Sequence, residues 1–350
     1  MSPNNEEFNT RGASRASEAT IYITSPLHPT AQALAERTFA RVIQEGKDGQ
    51  GFSRAEWYVT VHSSRSIVMR LGVASAENLQ QRISPRLRII TRSGVGYDSI
   101  DPQGCRDRDI VVTNLPGANA QAVAELALTL ALSLLRRVKE MDRRFISGEG
   151  LRSIHYLAPG LTGKTVGIVG MGNTARQFAL LLRPFGCKLL VHSPTSSAER
   201  WTAEDPDIAN SGDAPIEHER VDMETILEDA DVISLHCPLT PRTKNLIGEK
   251  ELGMMKPTAV LVNTARGGVV DERALEKALQ AGKLAGAGID VWEIEPARGE
   301  NLGGLGKMSN VICLPHLGAS TEQVAESSTV RAVEILANFF DRGEVVHRVI

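Results

Sequence analysis

Hydrophobic positions along this chain alternate between two periods. Ile21-Tyr22-Ile23-Thr24 is a short β-rich run, and Ala31 to Gln44 places Leu34, Phe39, Val42 and Ile43 at helical spacing. The series continues with Ile67-Val68-Met69, a helical AENLQQRI, the strand LRIIT (87–91) and the short strand IVVTN (110–114). Asn119 to Ser147 contains neither Gly nor Pro, so one long helix is predicted there, of the kind that links domains. A second alternating series opens at Thr165: strand TVGIVG, helix RQFALLLRPF, strand KLLVH, helix DMETILEDA, strand DVISLH, helix ELGMMK, strand AVLVNT, helix ERALEKALQAG, then strands AGAGIDVW and VICLP. Residues 321–340 form a last amphipathic helix. Alternating strands and helices with short crossovers give parallel sheets covered on both faces, and the second series makes a complete doubly wound domain.

Composition narrows the class. A chain of 350 residues is too long for one compact core and fits two domains, and 42% hydrophobic with 23% charged residues is a globular balance. The 39 basic against 42 acidic residues leave a net charge of −3, so nothing supplies the charge that nucleic-acid binding requires. No apolar stretch approaches the length of a membrane span, so no membrane partner is expected. Cys105, Cys187, Cys237 and Cys313 lack any CxxC spacing, which argues against disulfides and a zinc site; a reducing, cytoplasmic setting and no metal are expected. Residues 1–19 are polar, lack a signal-peptide core and read as a disordered tail.

Gly170-Met171-Gly172-Asn173-Thr174-Ala175 reads GxGxxA directly after a strand and opens a helix. Gly170 allows the tight turn, Gly172 lets the backbone approach a pyrophosphate, and Ala175 permits close packing of helix on strand. About 20 residues on, where an acid usually holds the adenosine ribose, stands His192-Ser193-Pro194. Ser193, Thr195, Ser196 and Arg200 suit a 2′-phosphate, whereas Glu199, Glu204, Asp205 and Asp207 would repel one, so NAD(P) is expected with the choice open.

Arg266 (NTARGGVVDE), Asp290 and Glu295 (GIDVWEIEP) and His316 (LPHLGAS) each follow a strand, at the edge of an open α/β sheet that faces ligands. Reducing a 2-keto acid needs a hydride donor, a proton donor and a cation for the carboxylate. His316 with Glu295 beside it suits the proton donor, and Arg266 the carboxylate clamp. Asp290 either holds the nicotinamide carboxamide or a positively charged ring neighbour, or is a strand-end hydrogen-bonding residue.

Over roughly residues 60 to 342 these motifs, with SLHCPLTPRTKNLI and PHLGAS, resemble the D-isomer-specific 2-hydroxyacid dehydrogenases. The resemblance implies two doubly wound domains, a Rossmann cofactor domain (119–315, with a linker helix 119–147) inserted in a flavodoxin-like substrate domain (20–118 and 316–350), with a cleft that closes on the substrate. It implies Arg266, Glu295 and His316 as the catalytic triad. Asn173 and Thr174 fall at the pyrophosphate, Ser193 at the ribose, Cys237, Pro238 and Thr243 on the loop after DVISLH, and Thr264, Asp290 and Gly318 near the nicotinamide. TRSGVGYDSID is similar to the segment that grips the substrate carboxylate, which maps to Gly94, Val95 and Gly96. Thr174, Ser193 and a loop from Pro194 to Val221 about ten residues longer than usual depart from the family pattern.

Arg70 stands where 3-phosphoglycerate dehydrogenases carry an arginine near the substrate phosphate; it reads equally as a surface residue. The resemblance is nearer to phosphoglycerate dehydrogenases and hydroxypyruvate or glyoxylate reductases than to lactate or formate enzymes. Little chain follows His316, so the regulatory domain of longer phosphoglycerate dehydrogenases is expected to be absent. The expected activity is NAD(P)-dependent oxidation and reduction of a small D-2-hydroxy acid and its 2-keto acid, by a homodimer. The alternatives are a dinucleotide-sensing corepressor-like protein and a phosphite-type dehydrogenase; Glu295 in place of Gln counts against formate.

Overall fold

The computed structural model describes residues 15–23, 26–44, 59–62, 87–97, 100–212 and 214–350. The chain divides into two compact units, one of Met1–Asn119 with Ala319–Ile350 and the other of Ala120–Gly318. Among the described residues no helix is long and apolar enough to cross a membrane.

The first unit holds β1 (Thr20–Ile23), β2 (Arg41–Gln44), β3 (Val59–His62), β4 (Ile89–Arg92) and β5 (Val111–Thr113), all parallel in the order β2-β1-β3-β4-β5. That order is the flavodoxin-like one. Ile21 and Ile23 pack into one cluster with Ala332, Val333 and Leu336 of the helix Glu322–Arg342, whereas Tyr22 joins a second cluster with Ile90 and Val112. Alternate side chains thus feed opposite faces, as a two-residue period requires. The edge strand β5 is covered by the chain's last residues: Val349 N donates to Val112 O at 2.8 Å and Val112 N to Ile350 O at 3.1 Å.

Three expectations for this unit change. The helix predicted over Ala31–Gln44 is Pro29–Thr38, and the segment after it is the edge strand β2. Val42 packs with one cluster and Ile43 with the other, which is strand behaviour that the spacing hid. β3, paired with both β1 and β4, was not expected, while Ile67–Met69, the helix 76–83 and Arg70 lie outside the described residues. The tail begins earlier than expected to be ordered: Ala16–Glu18 is a 3-10 turn whose Ala16 is buried, with its N–H donating to Asp341 at 2.8 Å.

The second unit holds β6 (Thr165–Val169), β7 (Lys188–His192), β8 (Glu219–Arg220), β9 (Val232–Leu235), β10 (Val260–Asn263), β11 (Gly286–Ile289) and β12 (Val311–Cys313). All are parallel, in the order β12-β11-β10-β9-β6-β7-β8, a Rossmann arrangement extended by one strand. The seventh strand is the short β8, whose Glu219-Arg220 carries no apolar signal. The other strands read as largely apolar runs because both faces are covered. Val260 and Val262 enter one core and Leu261 the other.

The single helix predicted over 119–147 is two, Ala120–Leu135 and Val138–Ile146, broken at Arg137 with φ +54. The first half packs Ala124, Ala127 and Leu130 into the core with Ala175 and Phe178 of the helix Asn173–Leu182. The second half has no buried residue. Elsewhere Asp222, Asp271 and Thr321 accept from backbone N–H groups at helix starts, each a cap of about 1 kcal/mol.

Candidate active site

The order β9-β6-β7 puts the direction change of the second sheet between β6 and β9, where open α/β folds bind ligands. The turn after β6 carries Gly170 at φ +107, a conformation that L side chains rarely adopt. A Cβ there would approach the His236 carbonyl oxygen, just after β9, to 2.8 Å. Gly172 caps the helix Asn173–Leu182, and a Cβ on it would meet nothing within 4 Å, so the space over the turn is open. Asn173 and Thr174 form the first turn of that helix, whose free N–H groups and dipole favour an anion.

The loop after β9 runs through Cys237 and Pro238. Thr243 staples it, its hydroxyl donating to Pro238 O at 2.6 Å and accepting from Thr240 N at 2.8 Å. Burial pushes the Cys237 thiol up to about 11, which suits a lining residue and not a thiolate nucleophile. The Thr264 hydroxyl at the end of β10 is buried and has no hydrogen-bond partner among the described residues. An orphaned buried hydroxyl, an open glycine turn and a helix start along one sheet edge fit a dinucleotide. Ser193 follows β7, its hydroxyl 2.8 Å from that of Ser196.

Arg266, Glu295 and His316 lie at the same edge. His316 Nδ1 is 2.8 Å from Glu295 Oε2, and the other carboxylate oxygen accepts from the Trp292 backbone N–H at 3.1 Å. Trp292 Nε1 donates to Leu314 O at 2.8 Å, tying the glutamate loop to the strand that delivers His316. The Glu295 hydrogen bond raises the imidazole above its ordinary value, against an opposing burial effect. For Glu295, burial pushes the carboxyl up, but the hydrogen bond and charge of His316 outweigh it and the net shift is downward. Arg266 also faces this pair electrostatically, and its guanidinium donates to Ala265 O at 2.8 Å. His316 itself sits at φ +59, in the left-handed region.

Asp290 is a strand-end hydrogen-bonding residue, one of its two sequence readings. Buried at the end of β11, its two carboxylate oxygens accept from Leu317 N at 2.6 Å and Gly318 N at 2.8 Å, and its carbonyl accepts from His316 N at 2.8 Å. Burial raises its pKa, partly offset by those two amide bonds. It therefore anchors the histidine loop, and Gly318 is one of its anchor points.

Three residues outside the sequence-derived set shape the site. Asn263, buried in β10, accepts from Ala265 N at 3.1 Å and donates to Arg266 O at 3.1 Å, fixing the arginine turn. A Cβ on Gly267 would collide with the Trp292 carbonyl, so the arginine and glutamate loops touch through backbone. Both residues stand in the NTARGG motif; Trp292 is signalled only by its place between Asp290 and Glu295. In the first unit, Gly94, Val95 and Gly96 follow β4, with carbonyls accepting from Leu115 N (3.1 Å), Asn114 Nδ2 (2.8 Å) and Arg92 Nε (2.9 Å).

Residues 128–318 match the family model described as D-isomer specific 2-hydroxyacid dehydrogenase, NAD binding domain. The glyoxylate reductase of Thermococcus litoralis is 42% identical over 269 residues, 75% of this chain and 76% of that protein. The D-3-phosphoglycerate dehydrogenase of Methanocaldococcus jannaschii is 32% identical over 330 residues, 94% of this chain and 59% of that protein. Among solved structures, an NADPH-dependent glyoxylate/hydroxypyruvate reductase from Sinorhizobium meliloti in complex with NADP and malonate superposes with a TM-score of 0.76. It is 26% identical, and the match covers 95% of this chain and 97% of that one. With a flavodoxin-like and a Rossmann sheet in one chain, a glycine turn at the switch point and a histidine paired to a carboxylate beside an arginine, the chain belongs to the D-isomer-specific 2-hydroxyacid dehydrogenase family and is an NAD(P)-dependent oxidoreductase.

Proposed function

We propose that the protein interconverts a small 2-keto acid and its D-2-hydroxy acid, with hydroxypyruvate or glyoxylate and 3-phosphoglycerate as the leading substrates. The 2.8 Å bond between His316 and Glu295 carries this reading. A carboxylate on Nδ1 favours the charged ring and leaves Nε2 to hand a proton to the carbonyl oxygen as it becomes a hydroxyl. Arg266 supplies forked donors for the substrate carboxylate and polarises the carbonyl. The bound nicotinamide cofactor supplies or accepts the hydride. Gly170, Gly172, Asn173 and Thr174 take its pyrophosphate, Ser193 its ribose, and Cys237, Pro238, Thr243, Thr264 and Gly318 line its nicotinamide half, with Thr264 gaining the partner its hydroxyl lacks. With their carbonyls bonded within their own unit, Gly94, Val95 and Gly96 offer backbone N–H groups to the substrate carboxylate.

Absorbance at 340 nm with NADH and NADPH crossed against hydroxypyruvate, glyoxylate, pyruvate and 2-ketoglutarate, plus 3-phosphoglycerate in the oxidising direction, tests it. Turnover of hydroxypyruvate or glyoxylate supports the reductase substrates. Preference for 3-phosphoglycerate, lost on Arg70→Ala, assigns Arg70 to the phosphate. Silence with every acid despite dinucleotide binding refutes the reading.

The partner is a second copy of the chain. Phe145, Ile146, Ile154 and Leu157 are each at least 72% exposed on the segment that begins with the unburied helix Val138–Ile146, an apolar face that a homodimer would cover. Light scattering should give the mass of two chains, and Phe145→Glu with Ile154→Glu the mass of one. The four unpaired cysteines suit a cytoplasmic setting.

A further inference from the structure

The turn that follows β7, Ser193 to Ser197, is built around a guanidinium from the neighbouring strand. Arg220, the last residue of β8, pairs in register with Val191. Its Nη2 donates to the carbonyls of Ser193 at 2.6 Å and Ser196 at 3.1 Å, and its Nη1 to that of Ser197 at 2.5 Å. None of the described carboxylates pairs with it. Four acids nearby in sequence are otherwise engaged. Glu219 pairs with Lys188 at 2.9 Å, and Asp222 accepts from Thr225 N at 2.8 Å. Asp207 pairs with Arg200 at 2.5 Å. Asp205 is buried, accepting from Trp201 N at 2.7 Å, Asp207 N at 3.0 Å and Arg200 at 3.3 Å. Arg200 in turn reaches the dinucleotide turn, its Nε donating to Met171 O at 3.2 Å.

Two of the acids that would repel a phosphate, Asp205 and Asp207, thus share Arg200, while Arg220 stands at the turn with no described carboxylate partner. An acid at the end of β7 would accept from a ribose 2′-hydroxyl and exclude a 2′-phosphate. This chain instead presents two hydroxyls, Ser193 and Ser196, 2.8 Å apart, on residues whose carbonyls hold a guanidinium. Hydroxyl donors backed by a fixed positive charge are the chemistry of a phosphate receptor. We propose that Arg220 is the specificity-determining residue that makes this cofactor domain a receptor for the 2′-phosphorylated dinucleotide, NADP(H), with Ser193 and Ser196 as donors. The proposal rests on the reading of Gly170 to Thr174 and Ser193 as the dinucleotide site.

Fluorescence titration of the full-length protein with NADPH and with NADH tests it without requiring turnover. The expected result is NADPH binding about tenfold or more tightly than NADH, the worth of one to two charge-assisted hydrogen bonds. Arg220→Gln should remove about tenfold of that advantage while moving the NADH affinity less than about twofold, with Arg220→Lys retaining part of it. The three carbonyls it releases lie on an exposed turn and can turn to water, and the unfolding midpoint of each variant checks that the fold is kept. Ser193→Asp, which leaves Arg220 in place, should reverse the preference. A wild-type preference for NADH, or an Arg220→Gln effect equal on both dinucleotides, overturns the proposal while leaving the dinucleotide site intact. Binding of neither dinucleotide overturns both.

Discussion

The imidazole Nδ1 of His316 lies 2.8 Å from Oε2 of Glu295, across 21 residues of chain and two strand ends. The bond holds His316 above the ordinary value of 6.5 and Glu295 below 4.5. With His316 as the proposed proton donor, reduction of a keto acid consumes the imidazolium, so its rate should be full at low pH and fall as pH rises through the raised value. Oxidation of the hydroxy acid needs the neutral ring and falls as pH drops through the same value. Glu295→Gln removes the carboxylate charge and should shift both limbs to lower pH, with reduction above neutrality down about tenfold or more. Initial-rate pH profiles in both directions read this; limbs that stay put would remove Glu295 from the proton chemistry. For stability, the His316 contribution is complete below 6.5 and lost as pH rises through its folded value. The Glu295 contribution is complete above 4.5 and lost as pH falls through its own. The pair therefore stabilises the fold most between those two values.

Arg266 offers a separable test. Its turn is fixed by Asn263 and Gly267, independently of the dinucleotide turn at Gly170. Arg266→Ala should lower kcat/KM for the keto acid by about a hundredfold or more, the cost of losing a forked, charge-assisted contact, and Arg266→Lys should recover little of it. Dinucleotide affinity by fluorescence should change less than about twofold. Equal loss of dinucleotide affinity would place Arg266 on the cofactor instead.

The two glycines of the nucleotide turn predict opposite outcomes. At Gly170 an added methyl meets the His236 carbonyl at 2.8 Å with φ at +107, so Gly170→Ala should destabilise the fold by about 2–4 kcal/mol. At Gly172 the same methyl meets nothing within 4 Å and the backbone is extended at φ −75, so Gly172→Ala should leave stability within about 0.5 kcal/mol. It should nonetheless weaken dinucleotide binding, because the methyl would occupy the open space proposed for the pyrophosphate. Chemical denaturation and fluorescence titration, run together, separate the two effects.

Where signals were local, the sequence was readable. The glycine turn follows an apolar run directly, and Arg266, Glu295 and His316 each lie a few residues past a largely apolar strand, so the edge they share can be found by counting. What sequence periodicity misses is set by tertiary partners. Val42 and Ile43 mimic a helical face until they are seen to enter clusters on opposite sides of a sheet. Arg137 breaks a helix with no glycine or proline to announce it. Arg220 looks like a solvated charge until Ser193, Ser196 and Ser197, more than 20 residues earlier, turn their carbonyls onto it.

Asp290 joins fold and chemistry most closely, because its carboxylate holds the backbone on either side of the Leu317-Gly318 peptide while its own carbonyl takes the His316 amide. Asn at this position is nearly isosteric but replaces one acceptor by a donor, which then faces an N–H. One buried amide loses its partner, at a cost of about 1–3 kcal/mol. The histidine loop, already in the left-handed region at His316, loses the anchor that keeps it there. Asp290→Asn should therefore lower both the unfolding midpoint and kcat, while the affinity for dinucleotide falls less than kcat does. Asp290→Glu, which keeps the charge but lengthens the side chain, should restore little, because both oxygens must reach amides on adjacent residues. Loss of dinucleotide affinity in step with kcat would instead make Asp290 a direct contact of the nicotinamide, with its two backbone bonds incidental to that role.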